Sequence, residues 1–378
     1  MKKREAVNAV RTLSVCQNTV DFTSNDYLGF AKNTSIFEAT TEILREKNAM
    51  RNGATGSRLI SGNHAFCQEV ERHLAKWHRA ETALVFNSGY DANIGFFSAV
   101  PQRGDFVFYD EFVHASIRDG ILMGNAKSYK FKHNDLEDLK KKIGTLLTRE
   151  RTDEATEIYI VTEAIFSMDG DMPNMMAFGH FCKENHYHLI IDEAHAIGVF
   201  GTHGEGLVQK LGIADKVFAR IITFGKAMGC HGAAILGCGE LRDYLINFAR
   251  SFIYTTALPP HALASILAAY NFMESSEGEQ SRKLLLQNIA SFKEELKEVG
   301  LRKNFIPSDS AIHSYIIPGN DQVKAVAKKL QEKGFEVKPI LSPTVPEGEE
   351  RLRFCIHSYT KKEEIKVVLQ ELSNQLKE

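Results

Sequence analysis

No two of the six cysteines stand in a C-x-x-C pair; Cys16, Cys67, Cys182, Cys230, Cys238 and Cys355 are scattered along the 378 residues. That spacing argues against a zinc site and a disulfide framework and suits a reducing compartment. No metal is expected. Long apolar runs are missing too, with none approaching the roughly 18–20 residues of a membrane span. The opening Met1-Lys-Lys-Arg-Glu-Ala-Val7 has charge but no signal-peptide core, so a cytoplasmic location is expected. Neither sign of charge dominates: 46 Lys and Arg face 48 Asp and Glu, for a net charge of −2. That balance offers no electrostatic track for nucleic acid or an anionic membrane. Repeats and low-complexity tracts are absent as well. What is present is 43% hydrophobic and 25% charged, the profile of a globular protein long enough for a large domain and a smaller one.

The organisation expected is an N-terminal arm over 1–45, a large α/β domain over 46–260 and a small α+β domain over 261–378. Between about Glu81 and Leu258, short apolar runs alternate with helical patterns. The runs are Ala83–Asn87, Asp105–Tyr109, Glu157–Thr162, Leu189–Asp192, Ala219–Phe224 and Ala233–Gly237. This alternation predicts a largely parallel sheet covered on both faces. After Pro259-Pro260 and a helix over Ala262–Met273, the polar Glu274–Glu279 reads as hinge-like.

Three of the apolar runs end in polar residues about thirty positions apart: Glu163, Asp192 and Thr223. Strand–helix–strand units have that spacing, and in an open sheet the strand ends share the edge where ligands bind. Asp192-Glu-Ala-His195 and Thr223-Phe-Gly-Lys226 would bring a carboxylate, an imidazole, a hydroxyl and a lysine to that edge. The set is the one needed for pyridoxal phosphate (PLP), which takes a lysine as a Schiff base and a carboxylate against its pyridine nitrogen. Each residue alone has a plainer reading. A lysine is usually a solvated surface group, an aspartate after a strand a helix cap or ion-pair partner, a histidine a satisfied interior side chain. The loop Asn87-Ser88-Gly89-Tyr90 before a helix could present backbone N–H groups to a phosphate, or be an ordinary turn. Nothing local gives His114 a role. Arg353 could clamp a carboxylate or sit in a surface ion pair. Asp192-Glu-Ala-His195 also spells a helicase box, but no P-loop precedes it.

In order along the chain come Thr23-Ser-Asn-Asp-Tyr-Leu-Gly29, Gly53-Ala-Thr-Gly-Ser-Arg-Leu-Ile-Ser-Gly-Asn-His64, Ser88-Gly-Tyr-Asp-Ala-Asn93 and His114-Ala-Ser116. Glu163-Ala-Ile-Phe-Ser-Met-Asp-Gly-Asp171, Asp192-Glu-Ala-His195, Thr223-Phe-Gly-Lys226, Tyr254-Thr-Thr-Ala-Leu-Pro-Pro260 and Arg351-Leu-Arg353 follow. Together they resemble the α-oxoamine synthases, which condense an amino acid with an acyl thioester. The resemblance implies fold type I, the aspartate aminotransferase-like α/β architecture, with a large mostly parallel seven-stranded sheet and a small C-terminal α+β domain. Gly56-Ser-Arg-Leu-Ile-Ser-Gly-Asn-His64, Tyr254–Pro260 and Pro343-Thr344-Val-Pro346 are similar to the branch that joins L-alanine to a pimeloyl thioester in biotin synthesis. A sister synthase using glycine or serine, and a non-catalytic protein of the same fold, are the alternatives.

By this resemblance Lys226 carries the cofactor, Asp192 faces its ring nitrogen, His195 its phenolic oxygen, and His114 stacks on the ring. Glu163 and Ser167 would line the pocket. Thr223 and the Ser88, Gly89 and Tyr90 amides would hold the phosphate, with Thr255 or Thr256 contributed by a partner subunit. Asn25 and Arg353 would receive the amino-acid carboxylate, and Thr344 and Arg11 would touch substrate. The implied assembly is a homodimer with its active site at the interface, and the implied acyl donor a coenzyme A or carrier-protein thioester. Two departures from the family pattern are a shortened stretch between Arg11 and Asp21 and the ending His357-Ser-Tyr-Thr360 after Arg353.

Overall fold

The computed structural model describes residues 1–10, 13, 19–149 and 156–377. Its strands are, in chain order, β1 (Val20–Asp21), β2 (Thr82–Phe86), β3 (Phe106–Asp110), β4 (Lys127–Phe131), β5 (Ile158–Glu163) and β6 (His188–Asp192). After them come β7 (Ala219–Thr223), β8 (Ala233–Gly237), β9 (Ile312–Ile316), β10 (Phe335–Glu336), β11 (Lys338–Ile340) and β12 (Arg351–Cys355). The chain divides into two compact units. The larger comprises Phe30–Phe166 and Met172–Gly278; the smaller comprises Met1–Gly29, Ser167–Asp171 and Glu279–Glu378.

In the larger unit seven strands form one sheet in the order β2-β8-β7-β6-β5-β3-β4. Only β8 runs against the rest, pairing antiparallel with both β2 and β7. The central strands are near-continuous apolar runs because helices cover both faces: every residue of β5 is buried, as are Leu189–Asp192 of β6. The six runs expected from the sequence all form within a residue or so of their expected limits. The seventh strand, β4, carries Lys-Ser-Tyr-Lys-Phe and is largely exposed. Its lysines suit the sheet edge, which they protect from pairing with another chain, and they also hide it from a search for apolar runs.

The smaller unit has an antiparallel sheet in the order β11-β12-β9, and β1 pairs in parallel with β10. The segment Glu274–Glu279 is not a hinge of open chain. A helix over Pro260–Glu274 and another over Ser276–Glu298 are separated by Ser275 alone.

Candidate active site

Strand register brings the polar ends together. Glu163 lies opposite Asp192 on adjacent parallel strands, and Asp192 lies opposite Ile221, two residues before Thr223. The Asp192 carboxylate is buried, and both of its oxygens are held. Oδ1 accepts the backbone N–H of Ala194 at 2.9 Å, and Oδ2 accepts Nδ2 of Asn93 at 3.0 Å. His195 is buried immediately beyond. Glu163 accepts the backbone N–H of His114 at 2.6 Å. Desolvation, reinforced by the Asp192 charge, pushes the Glu163 carboxyl well above the ordinary carboxylate range, against the opposing pull of Lys226 and the His114 N–H.

His114 caps the helix Ala115–Met123, with Nδ1 accepting the backbone N–H of Ser116 at 3.2 Å. As a whole the residue is exposed, yet desolvation of its ring lowers the imidazole below its usual pKa; Lys226 adds to this and Asp192 opposes it. The ring is accordingly neutral near pH 7.

The second wall begins at Ser88, the N-cap of the helix Gly89–Ala99, whose Oγ accepts the N–H of Asp91 at 3.0 Å. The N–H groups of Gly89 and Tyr90 are thus the first-turn donors that the cap leaves over. A Cβ on Gly89 would stand 2.6 Å from Thr223 Cγ2, so only a bare backbone fits between the helix start and the end of β7. Asn87 Nδ2 donates to Thr255 Oγ1 at 3.0 Å and to the Thr256 carbonyl at 2.7 Å, which ties both threonines beside this loop within one chain. The Tyr90 hydroxyl is engaged by Asp119 at 2.6 Å.

Lys226 sits in the turn from β7 to β8. Its carbonyl accepts the N–H of Gly229 at 2.8 Å, and Cys230 N–H returns to the Phe224 carbonyl at 2.8 Å. Gly229 has φ +63°, and a Cβ there would lie 2.2 Å from the backbone N of Ala31. Glycine alone lets the lysine turn close in this shape.

The remaining expected site residues lie in the smaller unit. Arg353, on β12, donates from Nε to the Ser167 carbonyl at 2.6 Å and from one terminal nitrogen to Asn25 Oδ1 at 2.9 Å. Ser167 thus supplies a carbonyl to the arginine. His357 is fully buried, with Nε2 at 2.9 Å from the Ser24 carbonyl and its ring stacked on Tyr359. Thr344 is exposed in a turn, and Arg11 lies outside the described residues. The sequence reading gave no role to Asn93 or Ser116, which the structure joins to Asp192 and His114. The signal was available: both stand in motifs already singled out, and Asn93 follows Gly89 by one helical turn.

These residues fit PLP. A bare helix start faces a threonine, a buried carboxylate has both oxygens oriented, and a neutral imidazole and a lysine stand close enough to act on each other electrostatically. Residues 17–372 match the family described as aminotransferase class I and II, and the chain belongs to that family. Its fold is accordingly fold type I, and within the family it groups with the α-oxoamine synthases.

An 8-amino-7-oxononanoate synthase of Emericella nidulans is 38% identical over 387 residues, spanning 100% of this chain and 94% of that protein. The solved 8-amino-7-oxononanoate synthase of Francisella tularensis is 28% identical, with a TM-score of 0.77 and coverage of 95% of this chain and 98% of that one. A lysine-to-alanine variant of a serine palmitoyltransferase from S. paucimobilis, solved with a bound PLP–myriocin aldimine, is 26% identical, with a TM-score of 0.86 and coverage of 95% and 87%.

Proposed function

We propose that this protein is a PLP-dependent acyltransferase of biotin synthesis. It condenses L-alanine with a pimeloyl thioester to give 8-amino-7-oxononanoate, CO2 and the free thiol carrier. The observation that carries this reading is a full-length relationship at 38% identity to an 8-amino-7-oxononanoate synthase. The buried strand-end constellation supplies the chemistry. When bound, PLP supplies the electron sink that a carbanion at the amino-acid Cα requires.

Lys226 would anchor the cofactor through Nζ, and its amine is the base that would take the Cα proton. The Asp192 carboxylate, oriented by Ala194 and Asn93, would hold the pyridine nitrogen in its protonated form. His114, neutral and anchored at Nδ1, offers a flat face for stacking. His195 follows Asp192 into the same strand end and serves the phenolic oxygen. The Gly89 and Tyr90 N–H groups with Thr223 hold the phosphate, and the guanidinium of Arg353 beside Asn25 receives the amino-acid carboxylate. The protein works as a homodimer with its active site at the interface, and the acyl carrier is coenzyme A or a carrier protein.

A sister synthase using serine is the second reading, favoured by the TM-score of 0.86 to a serine palmitoyltransferase. Titrating the PLP-loaded protein with L-alanine, glycine and L-serine, then with pimeloyl-CoA, separates them by absorbance and product. Alanine alone should shift the imine band and support turnover. Lys226→Ala is expected to lose that band and at least about 1,000-fold of the turnover, as covalent catalytic residues do. A variant that keeps both overturns the assignment of Lys226, and a response confined to glycine or serine overturns the alanine reading.

A further inference from the structure

Asn93 is 2% exposed and projects from the helix whose first turn is the phosphate cradle. Its Nδ2 donates to Asp192 Oδ2 at 3.0 Å and to Ser116 Oγ at 3.0 Å. The Ser116 hydroxyl, itself fully buried, lies 2.7 Å from His114 Nδ1. The directions of these bonds are forced. A carboxylate only accepts, so the amide must turn its NH2 toward Asp192. That NH2 has a second hydrogen for Ser116, whose own hydrogen is then free to go to His114. His114 Nδ1 also accepts the Ser116 backbone N–H at 3.2 Å, so the ring proton resides on Nε2. The cost of this arrangement is visible on the other side of the amide, where Asn93 Oδ1 is buried with no hydrogen-bond partner. Native proteins rarely leave such an atom unsatisfied, and those that do call for an explanation.

We propose that Asn93 is a positioning residue that couples the Asp192 carboxylate to the His114 ring through Ser116, fixing the carboxylate's aim and the hydroxyl bond that anchors the imidazole as one unit. This rests on the PLP reading above. Asn93 would touch neither cofactor nor substrate. It acts by holding the two groups that approach the cofactor ring, one at its edge and one at its face. Because its two donors come from a single planar NH2, displacing one partner disturbs the other.

The test compares Asn93→Leu, Ser116→Ala and the double variant in three readouts. The first is the 15N chemical shift of the His114 ring in cofactor-free protein. Every form should keep the Nε2–H tautomer that the Ser116 backbone N–H dictates, while both single variants should shift the Nδ1 resonance as the bond from the Ser116 hydroxyl loosens or is lost. The second is PLP affinity by absorbance titration, expected to fall about tenfold in Asn93→Leu and less in Ser116→Ala, with the double variant no worse than Asn93→Leu. The third is the unfolding midpoint of the cofactor-free protein, expected to fall in Asn93→Leu because the buried Asp192 Oδ2 loses its donor.

An Asn93→Leu protein that is merely less stable, with a wild-type Nδ1 resonance and affinity, overturns the proposal, as do strictly additive effects in the double variant. Should the wild type form no imine with PLP, the functional reading fails. The Nδ1 comparison in cofactor-free protein still decides whether the coupling exists.

Discussion

Arg353 is held in place by its own chain. Its Nε and one terminal nitrogen are engaged by the Ser167 carbonyl and Asn25, and burial leaves the residue 8% exposed. A guanidinium has five N–H donors in a rigid fork, so donors are left over to meet a carboxylate side-on. A lysine at this position would keep the charge but could not serve the Ser167 carbonyl, Asn25 and a ligand in one plane. Arg353→Lys is therefore expected to raise KM for the amino acid by about 10- to 100-fold and to change kcat much less, the pattern of lost ground-state binding. Steady-state kinetics at saturating thioester checks it. An unchanged KM would remove Arg353 from the carboxylate site.

Element-scale effects are clearest in β9 of the smaller unit. His313 is 2% exposed, with its ring 4.7 Å from that of Phe292. Burial first, then the Lys293 charge, lowers its pKa from 6.5 to about 3. The native state thus binds fewer protons than the unfolded chain between those values. Stability from this residue is complete above pH 6.5 and is lost as pH falls toward 3. At pH 5 the loss is about 2 kcal/mol, from the 1.36 kcal/mol that each unit of displacement represents. Hydrogen exchange at the β9 amides, corrected for intrinsic rates, should show protection falling by about that amount between pH 7.5 and 5, and His313→Phe should flatten the fall. An equally steep loss in the variant would place the acid sensitivity elsewhere.

Elements of this kind show what a sequence reveals and what it conceals. Strands β5 to β8 were legible because burial on both faces writes them as apolar runs, and Glu163, Asp192 and Thr223 because they end those runs. The edge strand β4 was not, since its exposed lysines break the pattern. The Ser275 break was read as a hinge because polarity alone cannot separate a solvated helix from a loop. The Asn93–Ser116 link depends on two helices approaching side by side, and no spacing along one chain encodes that.

At the scale of the whole molecule the unassigned feature is apolar surface beside the proposed phosphate cradle. Ile60 is 85% exposed, Leu59 52% and Tyr254 72%. The loop carrying the first two is joined to the segment carrying the third by the bond from Ala257 N–H to the Gly56 carbonyl at 3.0 Å. Thr255, next to Tyr254, is the residue that Asn87 holds beside Ser88. Large apolar side chains gathered in this way are the composition of an interface core, and their position beside the cradle is where a homodimer with an interfacial site would need them. A charge at the centre of such a patch costs binding energy of at least about 2 kcal/mol, or roughly 30-fold in Kd. Under the homodimer proposed above, Ile60→Glu should therefore shift sedimentation velocity toward monomer. Because Ile60 is so exposed in the single chain, the variant's secondary structure should be unchanged. Its PLP affinity should fall along with the dimer and recover as concentration restores it. A variant that stays dimeric with ordinary affinity places the subunit contact on another face.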